Sequence, residues 1–193
     1  DPLMPNPHFL STDLLEAFLD RLGPMRDKVT PLMFQFGYLN KEMIPTQSGF
    51  LDKLCTFAGQ LPAGYVWCIG TRNPNYLNDA YFECLHECGL AHVFLQGYYM
   101  PSIFDVYRKH ADQLTDTVVI RLHGPGRKGI EHKTGQDWST IVEPRDAELN
   151  ALADMLQDLH MRRRNVWLFV NNHYEGCAPL TIERIRERIG GTA

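Results

Sequence analysis

Short apolar runs alternate along the chain with segments whose apolar residues fall three and four positions apart, the spacing of one helix face. STDLLEAFLDRLG, residues 11–23, opens on cap residues, sets Leu14, Leu15, Phe18, Leu19 and Leu22 on one stripe and closes on Gly23. PLMFQFG, residues 31–37, then reads as a short buried strand. The alternation predicts further helices over about 49–60, 77–88, 102–113, 145–162 and along TIERIRERI, and further strands over about 65–71, 92–97, 117–123 and 165–171. Residues 124–138 read as a long loop with Gly124, Gly126 and Gly129. Strand followed by helix, repeated with short connections, predicts an α/β fold: a parallel sheet with right-handed crossovers, open or closed into a barrel. No linker interrupts it, so residues 1–193 are expected to form one domain.

Alternation within the strands separates their faces. In VVIRLHG, Val118, Ile120 and Leu122 share one side, and Val119, Arg121 and His123 the other. The wholly apolar side is expected to meet helices, which leaves Arg121 and His123 on the opposite face. The same sorting sets Cys68, Gly70 and Arg72 apart from Trp67, Ile69 and Thr71, Gln35 apart from Phe34 and Phe36, and Gln96 with His92 and Phe94. In FVNNHYEGCAP, Trp167, Phe169, Asn171 and His173 fall opposite Leu168 and Val170. Every strand therefore carries a polar residue near its C-terminal end, where parallel α/β folds build their sites.

Composition narrows the reading. With 44% apolar and 22% charged residues, the chain of 193 has the balance of a folded domain. A net charge of -4 and the absence of any long block of like charge give no electrostatic basis for a nucleic-acid or membrane partner. No apolar stretch is long enough to span a bilayer and no leader pattern opens the chain, so a cytoplasmic protein is expected. An odd count of five cysteines suggests reduced thiols rather than a disulfide framework. In CLHEC, Cys84 and Cys88 lie one helical turn apart, but His86 points elsewhere, so these thiols are expected to be structural.

The strand-end residues suggest a pocket rich in donors and positive charge. Arg72 and Arg121 would hold a small anion, phosphate or carboxylate, with Gln35, Gln96, Asn171 and Asn172 orienting it. His123 is the candidate general acid or base, and His173 with Glu175 a second proton-transfer pair. A divalent metal held by His123, His173 and Glu175 is a variant of that reading. The residues do not choose among hydrolysis, isomerisation and lyase chemistry. Arg127 and Lys128, in GPGRKG, could close over the anion. The formal GxGxxG of that segment is not read as a dinucleotide site, because Pro125 removes a donor, no helix is expected directly after it and no ribose-binding acid follows. The alternative is a non-catalytic module that holds a nucleotide or nucleic acid in the same cationic pocket.

MFQFGYLNKEMIP, RNPNYLN, GYYMP, VIRLHGPGRK and VNNHYEGCAPLTIERI together resemble the DUF72 (YecE-like) family over nearly the whole chain. The resemblance implies a TIM-barrel-like fold and supplies no activity. Gln35, Arg72, His123, Gly124, Asn171, Asn172, Gly176 and Ala178 are the positions that match the family's motifs. The resemblance also implies acidic residues where this chain has Gly70 and Gln96. Against the length of such a barrel, the chain is expected to represent its C-terminal five βα units.

Overall fold

The computed structural model describes residues 6–124 and 126–190; Pro125 lies outside them. Five parallel strands in the order β1-β2-β3-β4-β5 form an open sheet with helices between them. The expectation of five parallel βα units that leave a barrel incomplete holds, and the sheet is open. Contacts divide the chain into two units, one running to Ala91 and one starting at His92.

In the first unit, α1 (Thr12–Leu22) starts where the Ser11 hydroxyl accepts the Leu14 N–H at 3.2 Å, and ends at Gly23 with φ +40°. The strand β1 (Leu32–Gln35) pairs with β2 (Trp67–Gly70), setting Phe34 beside Ile69 and Gln35 beside Gly70. Between them, α2 (Gln47–Ala58) is capped by Thr46, whose hydroxyl accepts the Gly49 N–H at 3.1 Å. Its Phe50, Leu54 and Phe57 are buried. After β2, α3 (Asp79–Glu87) is capped in the same way by Asn78 and buries Tyr81, Phe82 and Leu85. Asn73 is buried and accepts the Leu39 N–H while donating to the Leu39 carbonyl, both at 2.8 Å, which staples the segments after β1 and β2 together.

The second unit contains β3 (Ala91–Gly97), α4 (Ile103–His110), β4 (Thr117–Gly124), α5 (Arg127–Thr134), α6 (Asp146–Met161), β5 (Asn165–Val170) and α7 (Ala178–Arg188). Strand β4 lies between β3 and β5 in parallel register, with Val119 opposite both Val93 and Trp167. The predicted sorting of β4 holds. Val118, Ile120 and Leu122 are buried to 1% exposure or less, whereas Arg121 and His123 are only half-buried. On β5 the same face leaves Trp167 and Phe169 41% and 50% exposed.

Two local expectations are corrected. The stretch read as a loop contains α5, which begins at Arg127 directly after Gly126; its apolar periodicity is too weak to announce it, because only Ile130 is buried. The last helix begins at Ala178, three residues before the predicted TIERIRERI, so Thr181 sits inside its first turn, donating to the Cys177 carbonyl at 3.0 Å. Among the described residues no helix is long and apolar enough to cross a membrane.

His92 on β3 is buried edge-to-face against Phe94. Burial first, and then neighbouring His110, push its imidazole down to about 3. The unfolded chain therefore binds a proton that the folded chain refuses between pH 6.5 and about 3. Stability should fall with pH through that window, by on the order of 1 kcal/mol per pH unit from this group. His92→Gln should show a smaller loss of urea midpoint between pH 7 and 4.5 than the parent; an equal loss would assign the acid sensitivity elsewhere.

Candidate functional site

The strand ends of the second unit meet at two glycines. Gly97 and Gly124 both have positive φ, +135° and +79°. A Cβ on Gly97 would overlap the Gly124 carbonyl oxygen, and a Cβ on Gly124 would overlap that of His173. Backbone therefore packs against backbone where β3, β4 and the segment after β5 come together. The β3–β4 register also slips between Gln96 and Gly97, an irregularity of the kind found beside sites.

Around this junction the structure assembles a line of side chains. The Asn171 Oδ1 accepts the His173 backbone N–H at 2.9 Å and lies 2.5 Å from His173 Nδ1. With Nδ1 donating to that amide oxygen, Nε2 is the nitrogen turned to Glu131, whose Oε1 is 3.4 Å away. Arg127 donates from Nε to the same Glu131 oxygen at 2.6 Å. The Arg127 hydrogen bond holds the Glu131 carboxyl below its ordinary range, with a smaller contribution from His173. Trp138 meets the His173 ring edge-to-face, with centroids 5.0 Å apart. His123 faces Tyr98, whose hydroxyl lies 3.3 Å from Nδ1. Arg127 and Lys128 open α5 on its exposed side.

Three predicted site residues serve the framework. Gln96 donates to Glu148 at 2.8 Å and accepts the Ile103 N–H at 3.1 Å at the start of α4. Asn172 accepts the Ala178 N–H at 2.8 Å, capping α7. Glu175, expected as the partner of His173, is 0% exposed. Its Oε1 accepts the Arg145 N–H at 2.7 Å and pairs with Arg184. The carboxylate at His173 is Glu131 instead.

Arg145 was not among the predicted residues. It donates to the Tyr174 carbonyl at 2.7 Å, to Glu148 at 3.0 Å and to Glu143 at 2.9 Å. Lys133 also pairs with Glu143 and holds that carboxyl below its ordinary range. Arg121 lies half-buried on β4.

Gln35 and Arg72 belong to the first unit. The Gln35 amide donates to the Gly70 carbonyl at 3.2 Å, and a Cβ on Gly70 would come within 3.0 Å of Gln35 Oε1. The glutamine thus fills the space that an acidic side chain at position 70 would need. Arg72 is half-buried just beyond β2. A separate apolar cavity of about 440 Å³ between α1 and β1, lined by Leu14, Phe18, Leu32, Phe34, Phe57 and Trp67, touches none of the predicted site residues.

Residues 6–193 match the family described as "Protein of unknown function DUF72". The chain belongs to the DUF72 family. A DUF72 family protein from Enterococcus faecalis V583 superposes with a TM-score of 0.64 at 17% identity, over 94% of this chain and 66% of that one. One from Thermotoga maritima MSB8 gives 0.61 at 18% identity, over 91% of this chain and 64% of that one. The DUF72 chain described here therefore spans about two thirds of the length of these structures. At such identities the likeness establishes the fold alone. No functionally curated protein matches the chain.

Two variants test the framework assignments. Gln96→Glu would set a carboxylate against Glu148 in place of a donor and should cost about 1–3 kcal/mol in urea unfolding. Glu175→Gln weakens a pair whose carboxylate is fully buried and should cost about 3 kcal/mol, because Arg184 keeps Asp146 as a second partner. A neutral result for Glu175→Gln would return that residue to the list of candidates for chemistry.

Proposed function

We propose that this DUF72 protein binds a small anion, a phosphate or carboxylate, at the strand ends of its second unit, and that His173 exchanges a proton with the bound molecule. The observation that carries the reading is the line Asn171–His173–Glu131–Arg127. An amide oxygen fixing one imidazole nitrogen and a carboxylate facing the other is the arrangement that orients a histidine for acid or base work. Arg127 and Lys128 supply positive charge at the start of α5, whose first amides have no side-chain cap and favour negative charge. His123, with Tyr98 beside it, is a second proton donor or acceptor at the same strand ends.

The pairing of charge weighs against a nucleic-acid surface. Arg127 is matched by Glu131, Lys133 by Glu143, Arg145 by Glu143 and Glu148, and Arg184 by Glu175 and Asp146. Such pairs leave room to recognise one anion by local exchange of partners and give no extended basic face for a phosphate backbone.

Titration with inorganic phosphate, followed through the imidazole resonances in NMR, tests the proposal. His173 and His123 should shift saturably, and Arg127→Ala should weaken binding by about tenfold, the effect of one charge-assisted hydrogen bond. Shifts that are absent, or unchanged in Arg127→Ala, would refute the anion site. Binding to an oligonucleotide with a steep salt dependence, and none to phosphate, would favour the nucleic-acid alternative.

A further inference from the structure

The first unit gathers three of the five cysteines. Cys55 comes from α2, Cys84 from α3 and Cys88 from the residue that caps α3, and their three sulfurs lie within 4.8 Å of one another. CLHEC shows two of them at helical spacing; the third arrives from 29 residues earlier because α2 packs on α3. His86, between the pair in sequence, is exposed and outside the group.

We propose that Cys55, Cys84 and Cys88 form a three-thiolate site for one thiophilic monovalent cation, copper(I). The donor set is purely sulfur, and soft thiolates select copper(I), zinc or iron–sulfur clusters over harder ions. Three ligands choose among these. Zinc in a structural site takes four protein ligands, and among the described residues no histidine or carboxylate completes the group. Copper(I) is satisfied by three sulfurs in a plane. Metal–sulfur bonds of about 2.3 Å hold such sulfurs about 4 Å apart, so Cys55 and Cys84 must separate from 2.6 Å while the trio stays within its present 4.8 Å.

Cys55 Sγ and Cys84 Sγ approach to 2.6 Å, closer than two unbonded sulfurs settle. A cation drawn between them and Cys88 relieves that contact by small side-chain rotations. A disulfide would use only two of the three and leave the convergence of Cys88 without purpose. Burial is graded: Cys84 is enclosed, whereas Cys55 and Cys88 are half-buried. Burial also pushes the thiols of Cys84 and Cys88 up, that of Cys88 to about 11, so both keep their protons until a cation displaces them. On binding, each sulfur that carries a proton loses it to solvent and three copper–sulfur bonds form; no electron changes hands.

The test is anaerobic titration of the fully reduced protein with copper(I) delivered as its bicinchoninate complex. One equivalent should pass to the protein, with a thiolate-to-copper absorption in the ultraviolet. Cys55→Ser and Cys88→Ser, both at half-exposed positions, should each weaken binding by about a hundredfold. Cys68→Ser and Cys177→Ser, outside the trio, should bind as the parent does. No transfer to the parent, or transfer unaffected by Cys55→Ser and Cys88→Ser, would overturn the site. So would peptide mapping that finds Cys55 joined to Cys84 in a protein that withdraws no copper once reduced. Uptake of zinc in preference to copper(I) would overturn the choice of cation.

Discussion

The strand-end geometry of the second unit rests on a carboxylate that no solvent reaches. Glu175 follows β5, and its main-chain carbonyl accepts the N–H groups of Val142 and Glu143 at 2.8 and 3.0 Å. Its side chain holds the Arg145 N–H and the Arg184 guanidinium. A buried charge of this kind is tolerable only when its partners are in place, so the segment before α6, the turn after β5 and α7 as far as Arg184 must form together. Arg145 reinforces the arrangement by gripping the Tyr174 carbonyl from the other side. With that turn held, Asn171 and His173 are fixed relative to β4, and the line to Glu131 becomes possible.

Much of the fold was legible because burial has a period. Val118, Ile120 and Leu122 pack against helices and leave Arg121 and His123 on the other face, as alternation alone suggests. Helix α1 announced both its ends through Ser11 and Gly23. The five βα units were legible too, and the length of the chain against an eight-unit barrel is what pointed to an incomplete one. Helix α5 was missed because a glycine and a run of charged residues hide a single buried isoleucine.

The site was legible as a set of positions and not as a set of roles. Gln96, Asn172 and Glu175 lie near the strand ends, as predicted, but each is engaged by a group that sequence spacing does not reveal: Glu148, the Ala178 N–H and Arg184. A polar residue at a strand end is equally suited to hold a ligand or a neighbouring helix, and only the partner's location distinguishes them. Glu131 could have been suspected from its position four residues after Arg127 within one helix. Cys55 could not, because its neighbours come from another helix.

The pair formed by Arg127 and Glu131 gives the proposed site a thermodynamic character of its own. An anion that takes Arg127 removes the hydrogen bond that most strongly keeps the Glu131 carboxyl ionised. The carboxylate is then left facing His173 and holds a proton more tightly than before. Anion capture and proton uptake become two sides of one coupling, and the coupling is reciprocal: whatever acidifies the site strengthens its hold on the anion.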